Sequence, residues 1–328
     1  MTAGARRGLG SVRGGQPARL VLLMTAAAAG IFSLTIPGFA SAGNLEAVLI
    51  SAVPLLLLAV GGTFVLISAG IDLSSPFIVG LASVVGGLVM TGAAGGGDLS
   101  RSTAGVAAMI AVGLLAGLFN GACVAWLRMP PFMVTLTSGM FAGGLAVLLA
   151  RAGVQDDDLH ALPRAFLSLG GTGGAAVGMA GVATLLAHGA LAETQFGRLL
   201  RAVGFNARAA HASGVPVERV VCAAYVASGA LAGLAGLLLT GQLEAASPTH
   251  GRQLLLDVIG AIVIGGTSLS GGRGTVTGTA LGVLFLAVLG NGLTLLNLSD
   301  FVITMVKGLL ILGAALLDAW RGGWGDVS

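Results

Sequence analysis

The sequence predicts an all-α protein built as a polytopic bundle of transmembrane helices. Charged residues make up 9% of its 328 residues and hydrophobic residues 55%, with a mean hydropathy of +0.98, whereas soluble domains carry about 25% charged residues. About ten stretches approach the roughly 20 apolar residues that a membrane-crossing helix needs, and they leave no room for a second, soluble domain. They lie near residues 20–38, 46–69, 75–93, 104–127, 131–150, 174–192, 220–240, 254–269, 276–296 and 301–318.

The predicted bundle, residues 20–318, begins after a basic tail of residues 1–19. This tail holds four arginines: Arg6, Arg7, Arg13 and Arg19. The tail, the apolar run up to Pro37 and the small residues 40–42 also match a cleavable signal peptide. The run is longer than the ~7–15 residues of a signal peptide's apolar core, which favours a spanning helix and leaves cleavage as the alternative.

The distribution of arginines predicts the orientation of the spans. If ten spans alternate and both termini are cytoplasmic, eleven arginines are cytoplasmic: Arg6, Arg7, Arg13, Arg19, Arg128, Arg198, Arg201, Arg208, Arg219, Arg273 and Arg321. Four lie on the other side: Arg101, Arg151, Arg164 and Arg252. Since basic residues concentrate in cytoplasmic loops, this asymmetry supports the orientation, with a cytoplasmic tail at 319–328 and the acidic run 156–158 outside.

A polar segment at residues 70–76 interrupts the first long apolar region. Ser75 followed by Pro76 is a typical helix start, because proline is tolerated at the first helical position. Asp72 is therefore interpreted as a capping or turn residue at a membrane edge. The alternative is that it lines a substrate path, since ionisable groups near membrane depth tend to be functional.

Two asparagines fall inside predicted spans, Asn120 and Asn291. A side-chain amide in an apolar surrounding must find a hydrogen-bond partner. Hydrogen bonding between helices is one interpretation, and contact with hydroxyl groups of a polar substrate is the other. The next turn contains Arg128 and the proline pair 130–131, which breaks one helix and starts the following one.

The longest polar stretch between two spans is residues 193–220. It contains Arg198, Arg201, Arg208 and Arg219. A water-facing loop this basic is predicted to be cytoplasmic. A membrane protein with such a loop commonly contacts a soluble partner through it.

A glycine-rich stretch, residues 265–274, superficially resembles a phosphate-binding loop. It lacks the lysine of the G-x-x-x-x-G-K-[ST] motif, so it is interpreted as a tight or re-entrant turn. Lys307, the only lysine, lies inside the last span at a cost of about 2.5–3.5 kcal/mol if it is central. It needs a partner on another span, and Asp257 and Asp300 are the candidates.

Glycines repeat at every fourth position in two spans, at residues 113, 117 and 121 and at residues 274, 278 and 282. This spacing favours close helix packing, with a thin-walled substrate path as the alternative. Cys123 and Cys222 lie in apolar spans and are predicted to be inert. The four histidines are scattered, so we expect no catalytic set, no metal site and no cofactor. Basic residues form no patch suited to nucleic acid.

Six stretches together resemble the ribose-type permease subunits of bacterial ABC sugar importers, in the branched-chain superfamily. They are GIDLSS, NGACVAWLRMPPFMVTLTSGM, FGRLLRAVGFNARAAHASGV, ASGALAGLAGLLLTGQLEAASP, LDVIGAIVIGGTSLSGGRGTVTGTALG and NGLTLLNLSDFVITMVKGLLILGAALLD. The resemblance covers roughly residues 45–320 and is specific in combination. It departs at Ser75-Pro76, where such permeases usually have Val-Gly.

This resemblance implies a permease dimer in the inner membrane that forms the path of a monosaccharide or polyol. A separate ATPase and a periplasmic or lipid-anchored sugar-binding protein would be its partners, together with membrane lipid. The motif E-A-A-x-x-x-G corresponds to residues 208–214, with arginine in place of glutamate. The residues assigned to ATPase coupling are Arg201, Arg208, Ala209, Ala210 and Gly214, and those assigned to the path are Asp72, Asn120 and Asn291.

Two other classes of protein are alternatives to this interpretation. An ion-coupled secondary transporter of a small polar solute is the main alternative, but such proteins use several acidic groups at membrane depth, and these spans hold few. A membrane-embedded enzyme would need a cluster of catalytic side chains, which the sequence does not show. The chain is therefore predicted not to be an enzyme.

Overall fold

The computed structural model describes residues 16–92, 97–153 and 162–323, and all regular structure in these ranges is helical. The helices are α1 Gln16–Thr35, α2 Ala42–Ile67, α3 Ser75–Thr91, α4 Asp98–Ala125, α5 Pro131–Gly153, α6 Arg164–Gly170, α7 Gly173–Ala192, α8 Gln195–Phe205, α9 Ala207–Ala212, α10 Val217–Gln242, α11 Leu255–Ile264, α12 Val276–Leu295 and α13 Asp300–Gly323, with a 3-10 turn at Arg252–Leu254 before α11. The predicted all-α class is confirmed. The acidic run 156–158 and most of the N-terminal tail lie outside the described residues.

Seven of the described helices are long and apolar enough to cross a membrane: α1, α2, α4, α5, α7, α10 and α12. The predicted span at 254–269 contains only the ten residues of α11. Ten helical residues rise about 15 Å, half of a hydrocarbon core of about 30 Å. The helix ends at Ile264 because the chain turns at Gly265 and Gly266, the latter at φ +86°.

The predicted glycine contacts are confirmed where α4 crosses α10. A Cβ added to Gly117 would collide with the carbonyl oxygen of Tyr225, and one on Gly121 would lie 2.9 Å from the Cα of Cys222. These residues let the two backbones touch. Gly278 and Gly282 do the same for α12, against the carbonyl oxygens of Gly265 and Ala261.

Helix α1 is packed into the bundle along α12. Its Phe32 fills the space that a side chain on Gly292 would occupy, and it contacts the ring of Phe39 at 5.4 Å between centroids. Ser41 caps α2 by accepting a hydrogen bond from the backbone of Asn44 at 3.3 Å. Ser41 and Ala42, which belong to the alternative signal-peptide cleavage site, therefore form the start of the second helix.

The bundle has two ends that the helix contacts define. At the first end lie the carboxyl ends of α2 and α4, the amino end of α10, and α8 with α9; we call it the α8–α9 end. At the opposite end, Gly170 of α6 packs against Gly241 near the end of α10.

Two irregular segments enter the bundle between these ends. Residues 68–74 follow α2 and lead into α3, and residues 243–254 fold back along α3. The second segment can lie against α3 because Gly80 has no side chain: an added Cβ would be only 3.1 Å from the carbonyl carbon of Pro248. Gly251, at φ +84°, allows a second close approach, because an added Cβ there would be 2.6 Å from the carbonyl oxygen of Pro76. Helices α3 and α11 therefore both start inside the bundle.

Candidate functional site

The first irregular segment is organised around Asp72. Its Oδ1 accepts hydrogen bonds from the backbone of Ser74 at 2.9 Å and from the Ser74 hydroxyl at 2.6 Å. Its Oδ2 accepts one from the hydroxyl of Ser228, on α10, at 2.6 Å. Three donors therefore hold the carboxylate, and Ser74 is the N-cap residue of α3. Asp72 therefore forms the turn that leads into α3, which is one part of its predicted role.

The position of Asp72 is inside the bundle. Its partner Ser228 is eleven residues beyond Val217, the first residue of α10, which corresponds to about 16 Å along the helix axis. A Cβ on Gly61 of α2 would lie 3.0 Å from the Cα of Ser228, so α2 and α10 enclose this level. Asp72 therefore lies between α2 and α10, within the bundle.

Asn120 joins the same network from α4. Its amide nitrogen donates to the Ser74 hydroxyl at 2.8 Å, and its side chain is 1% exposed. Its amide oxygen is buried and has no hydrogen-bond partner in the described part of the chain. Asn120 also lines a groove of about 660 Å³ between α3, α4 and α5. The structure thus brings together two of the three residues assigned to the path.

The third assigned residue, Asn291, lies elsewhere. It pairs with Asn44 of α2 through two reciprocal amide hydrogen bonds, each 3.0 Å long. Asn44 also donates to the carbonyl oxygen of Phe39 at 2.8 Å. These contacts support the interpretation that Asn291 forms hydrogen bonds between helices, here between α2 and α12.

The polar loop 193–220 folds into two short helices. Asn206 separates them and caps α9 by accepting a hydrogen bond from the backbone of Ala209 at 3.0 Å. Arg208 and Ala209 are exposed, whereas Ala210 is buried. The side chain of Arg201 donates to the carbonyl oxygen of Leu191 at 2.9 Å, so it fastens α8 to α7.

Gly214 ends this segment for a conformational reason. Its φ is +82°, and a Cβ there would meet nothing within 4 Å. The left-handed backbone favours glycine, and the following backbone N–H of Val215 donates to the carbonyl oxygen of Ala210 at 3.0 Å. Gly214 therefore provides the left-handed backbone that the turn after α9 needs, and the space around Gly214 is open.

The end of α8 packs directly against the glycine-rich stretch 265–274. A Cβ on Gly272, at φ +74°, would lie 2.9 Å from the Phe205 ring, and the Gly272 backbone donates to the carbonyl oxygen of Ile67 at 2.8 Å. Gly271 packs on Ala69, 2.7 Å from an added Cβ. The stretch is a tight turn, as predicted. It packs between the end of α8 and the segment that leads to Asp72.

Sequence reasoning missed a buried polar cluster beside α3. The Ser83 hydroxyl lies 2.6 Å from that of Thr240 and 3.2 Å from Nδ1 of His250. It also accepts the backbone N–H of Ser247 at 3.1 Å. The available signal was an isolated hydroxyl in each of two apolar spans, and a histidine next to a polar turn.

Lys307 finds one of its two predicted partners. Its ammonium group lies 2.6 Å from a carboxylate oxygen of Asp257 on α11. A Cβ on Gly290 would lie 3.5 Å from Cε of Lys307, so the lysine side chain lies along α12. In the part of the chain that the structure describes, no group of three metal-ligating side chains is present.

A helical bundle with seven helices long enough to cross a membrane, one short buried helix start at α11 and a polar network between its helices is typical of a membrane transport protein. The family model "Branched-chain amino acid transport system / permease component" matches residues 44–315. The chain belongs to this family of ABC-importer permeases, multi-pass proteins of the inner membrane; it is a family of transport subunits rather than of enzymes.

Curated relatives cover most of the chain. The ribose import permease of Bacillus subtilis (strain 168) is 36% identical over 80% of this chain and 80% of its own length. The autoinducer 2 import permease of Salmonella choleraesuis (strain SC-B67) is 35% identical over 85% and 79%, respectively. The L-arabinose ABC transporter permease of Azospirillum brasilense is 31% identical over 88% and 84%. No solved structure matches the chain.

Proposed function

We propose that this chain forms the translocation path of an ABC importer for a monosaccharide or a similar polyol, while a separate subunit hydrolyses ATP. The observation that carries the proposal is the network of Asp72, Ser74, Asn120 and Ser228 inside the bundle. Relatives named for ribose, arabinose and autoinducer 2 import support a small hydroxylated substrate.

The pairing of two carboxylates within the bundle, Asp72 and Asp257, argues against ion coupling. A secondary transporter uses acidic groups that bind and release an ion. Asp72 already accepts three hydrogen bonds, and Asp257 is paired with Lys307. Neither carboxylate is therefore poised to exchange an ion, which leaves an external source of free energy as the simpler explanation.

The α8–α9 end is proposed as the docking surface of the ATPase. Arg208 and Ala209 are exposed there and Gly214 opens the surface beside them. Ala210 is turned inward, so its part in coupling is to seat α9, and Arg201 holds α8 against α7. Arg208 replaces the glutamate of the family motif, so we expect an acidic contact on the ATPase.

The remaining features follow from the family and the charge distribution. We propose about ten membrane passes in lipid. Helices α3 and α13, and one pass that residues 243–254 and α11 make together, add to the seven long apolar helices, and both termini are in the cytoplasm. A second copy of the chain completes the path, and a sugar-binding protein delivers substrate to the opposite end. Nucleic acid is not a partner.

Reconstitution in proteoliposomes tests the proposal. The chain alone should neither hydrolyse ATP nor accumulate sugar, because its sequence lacks the phosphate-binding lysine motif and, among the described residues, Asp72 and Asp257 are already paired. ATP-dependent uptake of D-ribose or L-arabinose should appear once the cognate ATPase and binding protein are added. Proteoliposomes with the ATPase and binding protein but no permease are the control. Concentrative uptake by the chain alone, driven by a proton or sodium gradient, would support the secondary transporter instead.

A further inference from the structure

We propose that the groove between α3, α4 and α5 is a substrate subsite, in which the amide oxygen of Asn120 accepts a hydrogen bond from a hydroxyl of an uncharged polyhydroxy compound. This inference rests on the proposed transport function and names the contact that it needs. The groove has a volume of about 660 Å³, enough to hold a pentose or hexose with water.

The hydrogen bonds around Ser74 fix the orientation of the Asn120 amide. A serine hydroxyl has one proton, and that of Ser74 is donated to Asp72 at 2.6 Å. Ser74 can therefore only accept from Asn120, so the amide nitrogen faces Ser74 at 2.8 Å. The amide oxygen is the atom that remains without a partner.

An acceptor buried without a donor costs free energy, so its presence needs an explanation. Asn120 is 1% exposed and lines the groove, and its amide oxygen has less than 1 Å² of accessible surface in this structure. We infer that a substrate hydroxyl supplies the missing donor in a state of the transport cycle in which the groove opens toward this oxygen. Thr137 and Ser138 of α5 also line the groove, and their own protons are donated to the backbone oxygens of Met133 and Thr135. They too offer only acceptor positions.

The groove therefore selects hydroxyl donors and disfavours anions. None of the described residues that line it is charged, so a substrate carboxylate would lack a cation to pair with. The nearby carboxylate of Asp72, two hydrogen bonds away, repels an anion further. Phe119 and Phe141 contribute exposed aromatic surface, which suits the C–H face of a sugar ring. An amino acid is thus a poorer occupant than a neutral sugar.

Cysteine labelling tests whether water enters the groove. In a background of Cys123→Ala and Cys222→Ala, Ser138→Cys and Thr137→Cys should react with a charged methanethiosulfonate reagent. The matched control is Leu185→Cys, on the apolar surface of α7 with 71% of the leucine exposed, which should react much more slowly in lipid. Equal rates at the groove and at residue 185 would contradict the subsite.

Uptake with sugar analogues tests the hydrogen bond itself. In the reconstituted complex, Asn120→Leu should lower D-ribose uptake about fivefold to tenfold, the effect of one neutral hydrogen bond. One monodeoxy analogue of D-ribose, which lacks the donor hydroxyl, should be taken up equally by the wild type and Asn120→Leu. Asn44→Leu is the matched control: it removes an amide that joins α2 to α12 and does not line the groove, and it should keep the wild-type preference among analogues.

The possible outcomes separate this inference from the proposed function. Absence of wild-type uptake of both D-ribose and L-arabinose would contradict the proposed function. Normal wild-type uptake with an unchanged analogue preference in Asn120→Leu would contradict this inference alone. It would mean that Asn120 only positions Ser74 and Asp72.

Discussion

Lys307 and Asp257 connect two helices through one ion pair, with 22% and 14% of their side chains exposed. Removing one partner leaves the other, partly buried charge without compensation, which costs up to about 3 kcal/mol. We expect Asp257→Asn to lower the thermal midpoint of the detergent-solubilised protein, measured by size-exclusion chromatography after heating. Asp257→Asn combined with Lys307→Met should recover much of the loss, because no charge remains.

Asp300→Asn is the control for this prediction, since Asp300 is exposed at the first turn of α13. Equal effects of Asp257→Asn and Asp300→Asn would show that the ion pair contributes nothing to stability.

At the scale of single residues, the sequence predicted which side chains need a partner but not, in most cases, which partner they have. The cost of a lysine in an apolar span predicted that Lys307 needs a partner, and Asp257 was one of two candidates. No sequence rule paired Asp72 with Ser228, or Asn44 with Asn291, because such pairs depend on how distant helices cross. The polar residues of the network could be singled out one by one, but their grouping could not.

Among the helices, α9 gives the sharpest test of docking. Ala209 is exposed on α9, so a tryptophan there should not disturb folding. It should block close approach of the ATPase. We expect Ala209→Trp to abolish ATP-dependent uptake while the amount of protein in the membrane stays near normal, as measured by transport assay and immunoblot.

Two other tryptophan variants are the controls for this prediction. Leu186→Trp adds the same ring on the exposed surface of α7 and should leave uptake unchanged. Ala210→Trp should instead reduce the amount of folded protein, because Ala210 is buried. Normal uptake by Ala209→Trp would mean that α9 is only a solvated connection.

The ends of a helix could be predicted where the sequence changes from apolar to polar or glycine-rich residues. The predicted stretches around α2, α5, α7 and α12 agree closely with these helices, because polar or glycine-containing turns bound them. The stretch 254–269 overlaps the predicted turn at 265–274 and contains one charged residue, Asp257, but its sequence does not show that α11 starts only at Leu255 and has ten residues. Its late start depends on residues 243–254 packing against Gly80 of α3, which is a tertiary contact.

For the whole molecule, low charge and high hydropathy were sufficient to predict the all-helical membrane class. Orientation depends instead on the eleven arginines against four across the predicted topology. The structure adds one constraint, because α8 and α9 lie at the same end as the carboxyl ends of α2 and α4. If the α8–α9 end is cytoplasmic, the junction between α6 and α7 lies on the outer side, near the end of α10.

Fusions with a periplasm-active phosphatase and with a cytoplasm-active fluorescent protein test this orientation. We expect phosphatase activity from fusions at Thr172 and Ser299, and fluorescence from fusions at Ser213 and after Ser328. Thr172 and Ser299 lie in exposed turns between helices, so the fusions should not disturb the core, and a fusion after Arg19 should be fluorescent as an N-terminal control. Phosphatase activity at Ser213 would place the exposed Arg208 and Ala209 outside the cell, where no ATPase could reach them, and the coupling proposal would then fail along with the predicted topology.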